Sequence, residues 1–499
     1  MNHILTQMLT KTSASALIAL LPVCVLSAYT SGSGTSGDPY IIDASDGTMD
    51  SGFYAAGSNV TLSGDYISVG YNHTGSLTIA NGWTVTNGLA YIGYISGSVG
   101  NVVVTGKDST WSTTNTLCVG VSGTGTLSVE NGGTLASLDA QIGSSYDGVK
   151  GTVTLAGRDA DGTSSKWVNT NNLYVSTNCP GELSVGEGCT VSAKGIVIGY
   201  KPGVLGTVAV SGKGAALTAT NGVSVGDNGD GVLEVRDGGA VSCDYLYVGN
   251  ANGTNGNLVV SGSGSRVMAP SFVLVGLMGT GTIRVEDNAL LVTGALQSYA
   301  GDSVELEGGH IALKSNEILS DSAIVGKQLY YFGGFGYEAV TADNIASLKA
   351  AKLITVTYYD ASKYVAGDAL YDTYAAKGID LSAGYTVISG GVVDMDWADL
   401  VGADGGWLES SWLGWYYADA TYGHWIWSCT HGWLSVYDLG NNEIAAWDDS
   451  LQTWWYSNKD WYPALYDYVD GNWYYYMNGV APSRTFWSYA KGHEVTENK

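Results

Sequence analysis

With 499 residues, 71 of them glycine and only 7 proline, the chain has room for two or three domains and is built for many tight corners rather than for disorder. Its 46 acidic residues against 21 basic ones give a net charge of −25, which argues against nucleic acid or an anionic membrane as partner, because a phosphate field repels such a surface. Cation-bridged and sugar-based contacts stay open.

The chain begins with Lys11 and an apolar run from Ala14 to Leu26, followed by Ser27, Ala28 and the stretch SGSGTSG at 31–37. That order reads as a secretory signal peptide over 1–28, too short in its apolar part to be a stable membrane span. The mature chain is therefore expected to start near Ala28 or Tyr29, to carry no membrane span, and to be secreted or held at the outer cell surface. Residues 29–65 contain an apolar cluster (Tyr40, Ile41, Ile42, Val60, Leu62) that lacks the spacing seen further on. An N-terminal cap, which covers the open strand edge of a repeat array, should look like this.

From Tyr66 a template recurs. Counted from Gly226, apolar residues fall at +7 (Leu233), +9 (Val235) and +15 (Val241), with Gly238 at +12; the same positions from Gly70 are Leu77, Ile79, Val85 and Gly82. Copies start at Gly120, Ser176 and Gly276, the last with Asn288 in place of the glycine, and a second set of anchors (Gly93, Gly143, Gly199, Gly249) sits 23 residues after each of the first four. The apolar spacing is two, as in Val102/Val104 and Val208/Val210, which is strand spacing and excludes helical-pair repeats. A doublet of about 23 plus 27 residues with glycine corners predicts an all-β, right-handed parallel β-helix of about ten coils over 66–316. The pairs Asn81-Gly82, Asn131-Gly132 and Asp237-Gly238 should supply its positive-φ corners.

The phrases GTLSVENGGTL (125–135), GVLEVRDGGAV (231–241) and GNLVVSGSGSRV (256–267) resemble the repeat of autotransporter passenger proteins and PEP-CTERM exported proteins of Gram-negative bacteria. The resemblance covers about half the chain and implies a surface-directed β-helix with no catalytic residue carried over. It does not extend past the repeat, since the closing residues EVTENK carry neither a barrel nor an apolar helix with a basic tail.

Residues 317–404 are less regular and read as a C-terminal cap and connector, with one short helix over 342–353 and strands over 353–359 and 385–388. From Gly405 the composition changes: thirteen of the sixteen tryptophans lie between Trp397 and Trp487. GWLSVYD (432–438), TWWYSN (453–458) and GNWYYYMNGV (471–480) alternate aromatic and polar residues between turns, which predicts a small antiparallel β domain over 405–499. This domain is similar to the Trp-rich terminal modules of bacterial surface proteins, and its GNWYYYMNGV stretch resembles a single choline- or wall-binding repeat.

No cofactor and no metal is expected. Asp159, Asp161 and Gly162 imitate the start of a calcium loop but lack the glutamate that should follow, and Asp227 with Asp230 matches a calcium-binding roll only once. His424 and His431 are the only histidines near metal spacing, and a structural role in an aromatic hairpin suits them better. β-Helix lyases and galacturonases cluster Asp, Lys and Arg on an external strand face. Here the outward +8 position holds Thr78, Ser128, Ser184, Glu234 and Arg284, a mixed ladder without carboxylate pairs. No catalytic residue is assigned and a non-enzymatic protein is expected, with a polysaccharide-degrading enzyme as the lesser alternative. The five cysteines after Cys24 occupy no equivalent repeat positions, so a disulfide framework is not expected.

Two readings of function lead. One is a secreted or surface stalk, adhesin-like, with the aromatic domain as its attachment end. The other is a carbohydrate-binding protein whose aromatic rings stack on cell-surface or extracellular polysaccharide. Trp454, Trp455, Trp473 and Tyr475 are the expected exposed contacts, because adjacent or alternating aromatics on a short strand cannot all face one core.

Overall fold

The structure, a computed structural model, describes residues 64–145, 149–299, 301–315, 319–332, 337–350, 353–359, 384–390, 406–410, 413–418, 425–440, 443–458 and 461–497, and the short strands at 30–31, 40–42 and 51–54. The apolar run 14–26 lies outside the described residues. Two sheets of 13 and 21 strands wind together as a parallel β-helix, and an antiparallel sheet of ten strands follows.

Each coil gives one strand to the 13-stranded wall, from Thr74–Ile79 in the first full coil to Ser303–Glu307 in the tenth. It then runs along the other wall, either as one bent strand (Thr84–Ile92) or as two short ones (Ala216–Ala219 and Gly222–Val225). The +7 residues stack with the facing residues of the coils between them. Leu77, Val102, Leu127, Val153, Leu183, Val208, Leu233, Leu258, Ile283 and Val304 pair in register from coil to coil, and all are buried. Withdrawing each such side chain from water contributes about 1.5–3 kcal/mol, so this one ladder is a large part of what holds the tube.

The inner surface is not wholly apolar. In the first coils Asn87, Thr113, Ser137 and Asn169 follow one another in register and are buried. Their polar atoms serve two buried indoles: Trp111 Nε1 donates to Asn87 Oδ1 at 2.7 Å, and Trp167 Nε1 donates to Ser137 Oγ at 2.9 Å. A large ring with a polar edge is accommodated by placing an acceptor on the same inner row.

The doublet has a simple cause. Sheet positions repeat evenly, Gly75 pairing with Gly100 and Gly100 with Gly125, but the corner before each strand alternates in length. Gly70 and Gly120 precede their strand glycines Gly75 and Gly125 by five positions, whereas Gly93 precedes Gly100 by seven. The corner itself demands glycine twice over: Gly70 has φ 70°, and a Cβ there would lie 2.3 Å from Val99 O. Ser176, the one copy without glycine, still adopts φ 67°, and its hydroxyl donates to Cys179 O at 3.1 Å. Asn288, which replaces a later glycine, likewise takes φ 61°, the left-handed conformation that Asn tolerates best among ordinary residues.

Antiparallel strands close the parallel ladders. At the start, Thr30–Ser31 pairs antiparallel with Tyr40–Ile42, which in turn pairs with Gly64–Val69. At the other end Tyr385–Gly390 lies antiparallel between His310–Lys314 and Ile354–Tyr359, and Tyr337–Ala339 lies antiparallel on Leu329–Phe332. The helix Ile345–Ala350 buries Ile345 and Leu348 in the tube's core. The intervening stretches 360–383 and 391–405 lie outside the described residues. The cysteines at 118, 179, 189 and 243 are buried and that at 429 is exposed, all as free thiols.

Candidate functional site: the aromatic face of the terminal sheet

The terminal sheet is a meander from Gly406–Ser410 to His493–Thr496, each strand pairing with the next. Because successive side chains point to opposite faces, one set of positions makes a core: Ile426, Leu434, Val436, Ile444, Ala446, Trp455, Leu465 and Phe486. Arg484 is buried on this side and spends all five guanidinium N–H groups on protein acceptors. Nε and one terminal nitrogen reach Glu497 at 2.8 and 2.9 Å, both terminal nitrogens reach Asp448 at 2.7 and 2.9 Å, and the fifth N–H reaches His431 Nδ1 at 2.7 Å. Accepting at Nδ1 makes His431 the Nε2–H tautomer, which donates to Tyr462 OH at 3.0 Å. Burial and then the neighbouring Arg484 push the imidazole down to about 3, against the opposing pull of Glu497. It is a neutral structural group.

The opposite positions carry rings across the width of the sheet. Tyr417 pairs with Trp427 and Trp427 with Trp433; Trp447 pairs with Trp454; Tyr456 pairs with Tyr466 and Tyr466 with Trp473; Tyr475 pairs with Trp487. Ring centroids lie 5.9 Å apart in Trp447–Trp454, 5.3 Å in Tyr466–Trp473 and 5.4 Å in Trp461–Trp473, with tilted or edge-on planes, the geometry that aromatic quadrupoles favour. Trp461 is 50% exposed, Tyr475 41% and Tyr489 58%, with Trp427, Trp433, Tyr468 and Trp487 close behind. Carboxylates border the strip: Glu494 stands opposite Trp487, and the exposed Asp449 and Asp470 occupy turns at its edges.

Of the residues expected to be exposed contacts, Trp454, Trp473 and Tyr475 belong to this aromatic face, and Tyr475 is the most open of the three. Trp455 does not. It is 1% exposed, its ring lies 5.6 Å from His431, and its Nε1 donates to Asp448 Oδ2 at 3.2 Å. The expectation for Trp455 is corrected: alternation puts Trp454 and Trp455 on opposite faces, and the second is the one turned inward. Trp427, Trp433, Trp461, Tyr468, Trp487 and Tyr489 were missed. Trp427, Trp433 and Trp487 stand on strands whose alternation is readable, whereas Trp461, Tyr468 and Tyr489 stand in turns, where alternation gives no signal.

The other candidates take up local roles. Asp159 Oδ1 accepts from the backbone N–H of Asp161 and Thr163 at 2.9 and 2.8 Å, folding its own loop, while Asp161 pairs with Lys107 at 2.7 Å. Asp227 Oδ1 accepts from Ser224 and Asn250, and Asp230 Oδ1 from Asn255. His424 lies outside the described residues. Among the described residues no three His, Cys, Asp or Glu groups are placed to hold a metal ion. Carboxylates do meet on the outside of the tube, at +10 rather than +8, where Glu286 pairs in register with Glu307.

The open face can offer stacking planes to the CH faces of sugar rings, with bordering carboxylates for their hydroxyls. Compared with protein-family models, with curated proteins and with solved structures, the chain matches none.

Proposed function

We propose that the protein is a secreted or cell-surface, non-enzymatic β-helix stalk that attaches through its terminal sheet to polysaccharide. The observation that carries this reading is the exposed strip of Trp461, Tyr468, Tyr475, Trp487 and Tyr489. So many large rings open to water on one sheet are uncommon unless something covers them, and carboxylates beside aromatic planes suit glycans. The tube supports the stalk role. Thr, Ser and Asn lead the outward strand positions of its 13-stranded wall, and its ten coils stack to roughly 45–50 Å at the usual strand spacing. The apolar run 14–26 ahead of small polar residues supports export, and no helix of the described residues is long and apolar enough to cross a membrane. The resemblance to autotransporter and PEP-CTERM repeats and to Trp-rich surface modules points the same way. Co-sedimentation of the full chain with insoluble polysaccharides tests the proposal. The chain should bind at least one of them, and Tyr475→Ala with Trp487→Ala should weaken that binding; a chain that stays in the supernatant throughout contradicts it.

A further inference from the structure

We propose that the terminal sheet is a tandem array of equivalent hairpins whose junctions form two like subsites, and that these hold an uncharged polysaccharide chain at two points at once. The inference rests on the polysaccharide reading above and adds how such a chain is held.

The repeat is in the turns. Trp425–Ser428 leads into Gly432–Gly440, Glu443–Asp448 into Thr453–Asn458, Ala464–Asp467 into Asn472–Asn478, and Thr485–Ser488 into His493–Thr496. Each leading strand ends on a short polar residue, Ser428, Asp448, Asp467 or Ser488, at spacings of 20, 19 and 21 residues. The first three each accept from the backbone N–H groups two and three positions on, at 2.7–3.3 Å, and Ser488 accepts from that of Lys491 at 3.3 Å. Four positions after each cap, Gly432, Gln452, Gly471 and Gly492 all take a positive φ of 56–74°. Side-chain caps of this kind fix a reversal locally, and in a meander these alternate turns lie at one end of the sheet.

Equivalent hairpins place equivalent side chains. The residue before each cap stands on the open face opposite its partner strand: Trp427 with Trp433, Trp447 with Trp454, Tyr466 with Trp473, and Trp487 with Glu494. Where one hairpin meets the next, a backbone bond recurs. The N–H of Asp449 donates to Trp433 O at 3.1 Å, that of Tyr468 to Trp454 O at 2.9 Å, and that of Tyr489 to Trp473 O at 3.2 Å. Beside these bonds Ser435 pairs with Trp447, Tyr456 with Tyr466, and Tyr475 with Trp487.

The second junction is therefore Trp454, Tyr456, Tyr466 and Tyr468, and the third is Trp473, Tyr475, Trp487 and Tyr489. Four rings occupy matching positions in both. The first junction has Ser435 and Asp449 at two of those positions and is no ring cluster. Tyr466 and Tyr456 lie 5.3 and 6.5 Å from Trp473, ring to ring, so the two subsites share one unbroken band. Tyr468 in the second, and Tyr475, Trp487 and Tyr489 in the third, are the rings most open to water.

Corresponding rings are two strands apart and, because Trp473 aligns with Tyr456 rather than Trp454, two residues offset. In a flat sheet that is roughly 12 Å, from about 4.8 Å per strand and 3.4 Å per residue. One sugar ring cannot touch both subsites. A site that repeats suits a ligand that repeats, and charge narrows the choice among such chains. Asp449, Asp470 and Glu494 are exposed around the rings against one exposed cation, Lys491, among the described residues of this sheet. A polyuronate is repelled by that border, while neutral sugar hydroxyls find acceptors in it.

Native affinity electrophoresis of the full chain in gels containing hydroxyethyl cellulose, glycol chitin, mixed-linkage β-glucan or polygalacturonate selects the polymer, and calorimetry with its oligomers tests the subsites. At least one neutral polymer should retard the chain and polygalacturonate should not. A hexasaccharide should bind about a hundredfold or more tighter than a disaccharide, because its second contact is intramolecular. Trp487→Ala with Tyr489→Ala strips the third junction, so the hexasaccharide should fall to within a few fold of the disaccharide while disaccharide binding persists at the second. Should that variant fail to fold, Tyr468→Ala and Tyr489→Ala decide singly: like subsites predict similar losses of hexasaccharide affinity, about fivefold each, and a loss in only one of them overturns the pair. Wild-type affinities that hardly change with length, or loss of disaccharide and hexasaccharide binding together in the stripped variant, also overturn the paired subsites and leave the polysaccharide reading standing. Equal retardation by polygalacturonate overturns the uncharged chain, and retardation by none of the four polymers removes the polysaccharide reading and this inference with it. Self-association in sedimentation velocity that the stripped variant abolishes would give the face to a second copy, which overturns the proposal too.

Discussion

Trp455 and Asp448 are joined inside the terminal sheet: the indole N–H donates to a carboxylate oxygen at 3.2 Å, and that same oxygen receives a guanidinium hydrogen bond from Arg484 at 2.7 Å. The tryptophan is both a large apolar filling and a ligand of the buried ion cluster. Trp455→Ala should therefore cost about 3–5 kcal/mol from lost burial and the cavity left behind. Chemical denaturation followed by tryptophan fluorescence would check it, and Trp454→Ala, on the open face, should cost far less.

Arg484 is the centre of that cluster. Replacing it with Met leaves Asp448 and Glu497 buried without their cation, a loss of about 3–5 kcal/mol. Lys at the same position keeps the charge but cannot reach two carboxylates and His431 at once, so Arg484→Lys should lie between wild type and Arg484→Met in thermal denaturation of the terminal sheet.

Acid should loosen this sheet. His431 is held near 3 in the fold by burial and by Arg484, so an unfolded chain takes up the proton first, and the stability linked to it is lost as pH falls below the ordinary value of 6.5. Burial works against the Glu497 carboxylate, yet hydrogen bonds from Arg484 and Ser450 hold it below the usual range; its contribution is present above about 4.5 and lost below. Both act in one direction. Near-UV circular dichroism of the tryptophans should show falling thermal stability from pH 6.5 to pH 4, with the upper part of that fall absent in His431→Gln.

In the tube, Leu183 sits mid-ladder between Val153 and Val208. Leu183→Asp buries an unpaired carboxylate, at a cost of several kcal/mol. Because each coil of a solenoid touches chiefly its neighbours, loss of exchange protection should be greatest in Lys150–Ala156 and Leu205–Ser211 and fade toward the ends. Unchanged protection there would remove Leu183 from the inner ladder.

Much of the tube was legible because its signal repeats. Leu77, Leu127, Leu183, Leu233 and Ile283 announce one inner row through spacing alone, and the corner residues Asn81-Gly82 and Asp237-Gly238 take the positive φ their chemistry favours. Glu286 and Glu307 escaped notice because the tenth coil is short and departs from the template, so the second carboxylate has no repeat position to mark it. His431, Asp448, Arg484 and Glu497 escaped for a different reason. They stand on separate strands and turns with no local spacing, and only the curl of the sheet brings them together. Alternation fixed Trp454 and Trp455 on opposite faces but carried no information about which face is core; that depends on Asp448 and Arg484 waiting on the far side.

The central claim is that the exposed rings of the terminal sheet attach the stalk to polysaccharide. Its most direct measurement is the affinity of the full chain for an insoluble polysaccharide that retains it, for wild type and for the double variant Tyr475→Ala, Trp487→Ala. Losing two stacking rings at about 1 kcal/mol each should weaken binding by roughly tenfold or more, with the near-UV circular dichroism of the buried Trp455 and the unfolding midpoint little changed. Equal affinity of the folded double variant and the wild type, or no retention of the wild type by any polysaccharide tried, would contradict the account.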